Sequence, residues 1–452
     1  MASSMIDSLL YRNNYSTPEL REIFDDKSII QNWLDLEVAL AQTQAEYGII
    51  PQEAAEEITR KAKVENLNIS EIEKGIMKVG HSLVPVLRAV EHICDNGYGE
   101  YIHLGATTQD ILDTGFMMAI QKAYDVILRD AYEVERLAAD LAERYADTVM
   151  IGRTHGQQAI PITFGYKAAV WASEISRGID RMIECRNRDF CGELSGAVGS
   201  MASFGEHALE ITTKTIQKIN LSVPDIAWHA SRDRMVSIVN SLALFSSTLG
   251  RIGHECVCMQ KTEFGELAEG FANGNVGSST MPHKRNPNIG EALQNLSRVA
   301  VANASCTYNA MFLEHERDGA AWKIEWKTVN ETLLIVGGAV AKAKSLLSGL
   351  HVDKKRMLEN LNLTHGLLYS EAVMLALGKK IGKQTAHEVV YTICMDCFEN
   401  GIEFIEGLCA DEKVASCLSR EELEALMNPS ANTGECSYFA RSVAETIRKK
   451  RT

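Results

Sequence analysis

Apolar residues recur at three- to four-residue intervals through long stretches of this chain, with few breakers between them. Residues 29–47 (IIQNWLDLEVALAQTQAEY) show the pattern, and so do residues 111–146, 235–267 and 289–313. Each predicts a helix, and the longer ones would span on the order of 40 Å at the α-helical rise. Helices apolar over much of their circumference need partners, so the pattern predicts an all-α chain built on a long helical bundle whose core is shared between subunits.

The interruptions are chemically rich. They are HLGATTQD (103–110), GRTHGQQAIP (152–161), SGAVGSMASFG (195–205) and NGNVGSSTMPHKRNP (273–287). Glycine and proline mark them as turns or loops between helices, and loops on a rigid scaffold commonly carry catalytic groups. A smaller C-terminal helical unit is expected from near Gly366. The resulting division is an N-terminal helical domain over 1–112, a central bundle over 113–365 that carries the 273–287 loop, and a C-terminal helical domain over 366–452.

Composition narrows the function classes. With 46% hydrophobic and 23% charged residues among 452, the chain is of ordinary globular make-up. A formal charge of −14 argues against nucleic-acid or anionic-membrane partners, because no excess basic surface is available to neutralise phosphates. The basic RKKRT end is expected to be a frayed helix terminus. The opening residues lack a basic segment followed by an apolar one, and no run of about 18 uncharged apolar residues occurs, so a cytoplasmic protein is expected. The 11 cysteines are expected to be reduced thiols. Cys394 with Cys397, and Cys256 with Cys258 near His254, each lack a second pair at zinc spacing, so neither a metal nor a cofactor is expected.

The loop GSSTMPHKRNP gathers hydroxyls, a lysine, an arginine and an asparagine behind a glycine-rich approach. Removing a proton from carbon beside a carboxylate builds a doubly charged aci-carboxylate, which needs cationic and hydrogen-bonding groups aimed at the developing charge. Lys284 and Asn286 are suited to that. Ser278 is a very weak acid, and serves as base only as an activated alkoxide in a site closed from water.

The string resembles the signature GSSxMPxKxNP of the fumarase and aspartase superfamily, which includes adenylosuccinate lyase, argininosuccinate lyase and 3-carboxy-cis,cis-muconate cycloisomerase. YSTPELREIF, HLGATTQDILDT, GRTHGQQAIPITFGYKAAVW, LSGAVGSMASFG, SRDR, HERDGAAW and HGLLYSEAVMLAL follow in the order of the adenylosuccinate lyase and cycloisomerase branch. The resemblance implies an all-helical three-domain subunit, a homotetramer around a central bundle, active sites assembled from three subunits, and a small polycarboxylate substrate.

By that resemblance Ser278 is the base, His155 of the THG motif the general acid, and Glu291 the carboxylate paired with it. Thr107, Thr108 and Gln109 match the segment that holds a substrate carboxylate, and Lys284 and Asn286 match further carboxylate contacts. Ser279, Arg234, Arg317 and Tyr15 join the substrate-binding set. His81 matches a second active-site histidine of adenylosuccinate lyases, although its KVGHSLVP setting differs from their RHDV. His103, beside the threonines, would line or position the site.

Departures from the family bear on the substrate. Adenylosuccinate lyases continue HERD with ISHSSAER, whose Ser and Arg hold a nucleotide phosphate. Here GAAWKIEW puts Trp322 and Trp326 at those positions, with core packing at i, i+4 on one helix face as the alternative account of the pair. Indole offers one donor and a large apolar face, poorly matched to phosphate. The expected activity is β-elimination from a non-nucleotide succinyl adduct, cleaving C–N or C–S and releasing fumarate. The alternatives are adenylosuccinate lyase of purine synthesis, 3-carboxy-cis,cis-muconate cycloisomerase, and a non-catalytic structural homologue such as the superfamily's lens crystallin.

Overall fold

A computed structural model describes residues 4–271, 278 and 280–451. Among these, helices dominate and the named strands form only two small two-stranded sheets. The 29–47 pattern lies in the helix Asp26–Glu46, which starts where Asp25 accepts from the Ser28 amide at 2.8 Å. The 111–146 pattern becomes Thr108–Arg144, and the 289–313 pattern becomes Asn288–Thr307 followed by a short 3-10 turn. The helix expected over 235–267 runs over Asp233–Gln260 instead. It stops before a turn in which Gly265 takes a φ of +60°, and Leu267–Ala268 then pairs with His351–Val352.

The chain forms two compact units. One comprises Met1–Ala131, Gly178–Gly250 and Gln294–Ala341; the other comprises Tyr132–Arg177, Arg251–Leu293 and Lys342–Thr452. In the first, Ile30, Leu34, Ala41, Ile58, Val86 and Val90 close a core between the N-terminal helices. In the second, Val373, Leu377, Val390, Phe404, Leu408 and Leu423 form the C-terminal core. The helices Asp233–Gln260 and Gly319–Gly349 are long and apolar enough to cross a membrane, but 67% of each apolar window is buried in protein, which marks them as core helices.

Two expectations are revised. GRTHGQQAIP is not a plain loop: Val149–Thr154 (β1) and Gln157–Thr163 (β2) form an antiparallel hairpin around it. The basic C-terminus is the last turn of the helix Cys436–Arg451 rather than a frayed end. Arg451 pairs with the buried carboxylate of Glu135 at 2.8 Å, and Arg448 with Glu143 at 2.6 Å. Cations at a helix C-terminus also meet the negative end of its dipole.

Candidate active site

The hairpin presents His155. Thr154 pairs with Gln157, leaving His155 and Gly156 as a two-residue turn with φ of +50° and +77°. Positive φ at both positions is the turn geometry that follows strand twist, and histidine tolerates it better than a β-branched residue does. His155 is exposed at the tip. Behind it Arg153 makes a two-pronged ion pair with Glu266, at 2.8 and 2.7 Å, and Asn360 donates to the same carboxylate at 2.8 Å. A fully buried Glu266 thereby anchors the hairpin to the strand Leu267–Ala268.

The same unit carries the described part of the signature loop. The Ser278 hydroxyl oxygen accepts from the amides of Met281 at 3.1 Å and Thr280 at 3.3 Å. Lys284 is exposed and Asn286 half-buried, while Glu291 is exposed in the first turn of Asn288–Thr307. Ser279 lies outside the described residues. Two side chains hold the base of the loop. Gln260 accepts from the Glu269 amide at 2.8 Å and donates to the Arg285 carbonyl at 3.1 Å. Glu269 in turn accepts from the amides of Ile289 at 3.0 Å and Gly290 at 2.6 Å. Burial pushes the Glu269 carboxyl up, against those two amide bonds. No hydrogen bond joins His155, Ser278 and Glu291 to one another among the described residues.

In the other unit Thr107, Thr108, His81 and Arg317 converge. Thr108 Oγ1 lies 3.2 Å from His81 Nε2, and Arg317 donates to Thr107 Oγ1 at 3.2 Å and to the Ala197 carbonyl at 2.8 Å. Asp110 fastens this cluster. One of its oxygens accepts from the amides of Thr107 at 2.9 Å and Gly196 at 3.0 Å; the other accepts from Ser195 at 3.0 Å and faces His229 Nε2 at 2.8 Å. The HLGATTQD and SGAVGS segments are thus tied by one buried carboxylate. Asp110, Glu193 and His229 place ligand-type atoms within 4.8 Å of one another. With two donors on each oxygen, Asp110 has its acceptor capacity filled, so the cluster reads as a hydrogen-bonded brace rather than a cation site.

Gln109 is buried, and its amide donates inward to Asp113 at 3.1 Å and to the His229 carbonyl at 3.2 Å. His103 contacts Glu37 at 2.6 Å; burial opposes its protonation, but the Glu37 hydrogen bond and charge outweigh this and raise its pKa. Tyr15 is set by Gly338, where any Cβ would collide with the Tyr15 carbonyl. Arg234 is engaged away from the threonines, donating to the Arg188 carbonyl at 3.1 Å.

Arg232, two residues earlier in the same SRDR string, is not marked by any sequence signal as the buried one of the two arginines. Its guanidinium is fully buried, paired with Asp113 at 2.7 Å and with Glu325, and stacked on Trp228 at 4.8 Å. Burial opposes its charge, and the two carboxylates more than restore it, raising the pKa. Trp322 joins this network, its indole N–H donating to Asp113 at 2.7 Å, and Trp326 meets it edge-on at 5.0 Å. Trp322 is 8% exposed and Trp326 42%, so the packing account holds for the first and leaves the second at the surface.

Residues 12–302 match the family model described as Lyase, and residues 366–443 match Adenylosuccinate lyase C-terminus. The chain is 42% identical over 437 residues to an N-acetyl-S-(2-succino)cysteine lyase of Enterococcus italicus, covering 97% of this chain and 96% of that one. It is 39% identical over 448 residues to the enzyme of the same name from Dickeya dadantii, covering 99% and 98%. The crystal structure of the 3-carboxy-cis,cis-muconate lactonizing enzyme of Pseudomonas putida superposes with a TM-score of 0.93 at 31% identity, covering 98% of this chain and 100% of that one. The chain belongs to the lyase family of the fumarase/aspartase superfamily. Within it, the protein is an enzyme of the fumarate-releasing type, acting on a succinyl adduct.

Proposed function

We propose that this enzyme cleaves the C–S bond of an S-(2-succino) thioether, N-acetyl-S-(2-succino)cysteine or a close analogue, releasing fumarate and the thiol. The observation that carries this is near full-length identity of 42% and 39% to two lyases of that name. Trp322 and Trp326 support it, because one indole is committed to Asp113 and the other offers a single N–H at the surface, where a nucleotide phosphate calls for a guanidinium and a hydroxyl.

In this account Ser278, as alkoxide, takes the proton from the succinyl carbon adjacent to the C–S carbon. The C–H pair becomes the new C=C bond, the C–S pair leaves with sulfur, and the thiolate takes up one proton. Thr107, Thr108, Arg317, Lys284 and Asn286 receive the carboxylates and the charge that grows on one of them. His155, with Glu291 beside it in an assembled site, supplies the proton to the leaving group. Tyr15 and Ser279 complete the proposed binding set, together with His81; Gln109 and Arg234, expected there from the family pattern, have their side-chain donors committed to Asp113 and the His229 carbonyl and to the Arg188 carbonyl instead. The exposure of His155 and Glu291 within one chain fits a homotetramer whose sites are completed by neighbouring subunits. The three-part division at 112 and 365 belongs to the same proposal.

The test is a substrate panel of N-acetyl-S-(2-succino)cysteine, adenylosuccinate, argininosuccinate and 3-carboxymuconate. Fumarate from the thioether at far higher kcat/KM than from the others supports the reading. Loss of carboxymuconate without fumarate from any member overturns it.

A further inference from the structure

We propose that His81 is a positioning residue, not the acid of the reaction: it fixes the Thr108 hydroxyl as a hydrogen-bond donor toward a substrate carboxylate. The inference rests on the functional reading above. Its basis is the direction of two hydrogen bonds. The Val84 amide lies 3.2 Å from His81 Nδ1, and a backbone N–H can only donate, so Nδ1 is the lone-pair nitrogen of the ring. The ring proton of the neutral imidazole is therefore on Nε2, 3.2 Å from Thr108 Oγ1. Thr108 accepts that bond, and its own hydroxyl proton must point elsewhere.

Thr107 is arranged the same way. Arg317 has no acceptor, so the Thr107 oxygen accepts its bond and the Thr107 hydroxyl proton is likewise free. Two consecutive hydroxyls, Thr107 just before and Thr108 at the start of the 37-residue helix Thr108–Arg144, are thus both supplied with donors and both left to donate. Such a pair suits a carboxylate and disfavours a group that must itself donate. With Nδ1 facing an amide proton, the ring carries its single proton on Nε2, directed at Thr108 rather than at a leaving group.

Two substitutions separate the ring's two bonds. His81→Asn keeps an acceptor where Nδ1 stands, preserving the Val84 bond, and loses the donor to Thr108; His81→Gln keeps an amide donor where Nε2 stands. Turnover of N-acetyl-S-(2-succino)cysteine is measured alongside calorimetric binding of fumarate, which needs no turnover. His81→Asn is expected to raise KM and weaken fumarate binding about tenfold with a smaller change in kcat, and His81→Gln to restore most of both. In a Thr108→Val background His81→Asn should add no further loss. Wild-type behaviour of His81→Asn, a collapse of kcat in both variants, or multiplying losses in the double variant would each overturn the proposal. Wild-type enzyme that binds fumarate with this pattern of variants but releases none from the thioether would overturn the functional reading alone.

Discussion

Arg232 and Asp113, 119 residues apart in the chain, form a two-pronged ion pair with no exposure of the guanidinium. Glu325 holds the opposite edge of the same group, and the Trp322 indole caps Asp113. Every polar edge of this cluster is spoken for within one unit of the protein.

Removing Arg232 would strand two buried carboxylates. Arg232→Met is expected to destabilise by about 3–5 kcal/mol, the usual cost of leaving buried charges without a partner. Chemical denaturation at fixed protein concentration checks it. A loss below about 1 kcal/mol would mean that water reaches the cluster.

The hairpin turn separates the conformation of His155 from its chemistry. His155→Asn should keep the turn, because asparagine adopts positive φ readily, while removing the imidazole. Circular dichroism and oligomer size should be unchanged. Turnover should fall more for a succinyl thioether of an alkyl thiol than for one of a more acidic aryl thiol, whose thiolate leaves without proton assistance. Equal losses on both would remove His155 from the role of acid.

His103 makes stability depend on pH. Its folded-state pKa is raised, with burial opposing and Glu37 prevailing. The contribution is therefore fully present below the unfolded-state value near 6.5 and is lost as pH rises through the higher folded value. Glu37→Gln should flatten the stability profile in that window, read by denaturation across pH 5 to 9. An unchanged slope would show that the pair does not titrate between the folded and unfolded states.

At the base of the signature loop, Glu269 accepts two amides at the start of Asn288–Thr307. Glu269→Ala should cost about 1–2 kcal/mol as a lost helix cap. Its larger effect should be on kcat, because Ser278 and Glu291 lie on either side of that anchor. Unaltered kcat alongside the stability loss would limit Glu269 to capping.

Much of this was legible in the sequence. The helical periodicity of residues 29–47 and 111–146 located two helices to within a few positions, since burial enforces the 3.6-residue repeat. The GSSTMPHKRNP and THG strings singled out the loop and hairpin tip. The hairpin is masked by its glycines and proline, which read as loop, although β-branched residues flank the His155-Gly156 turn on both sides. The bracing groups, Arg232 with Asp113 and Glu325, Arg153 with Glu266, and Asp110 with His229, were invisible for a different reason. Each pairs charges over 90 residues apart, and a single chain of letters does not say which acid meets which base. Within SRDR the string alone does not distinguish Arg234, which bonds a backbone carbonyl, from Arg232, the buried partner of the network.

The most direct test measures fumarate and free thiol together from N-acetyl-S-(2-succino)cysteine, with wild-type enzyme and Ser278→Ala. One thiol per fumarate from the wild type, and loss of both in a variant that keeps its oligomeric state and still binds fumarate, is the predicted result. Near-normal release from Ser278→Ala would contradict the assignment of the base, and consumption of the thioether without fumarate would contradict the elimination itself.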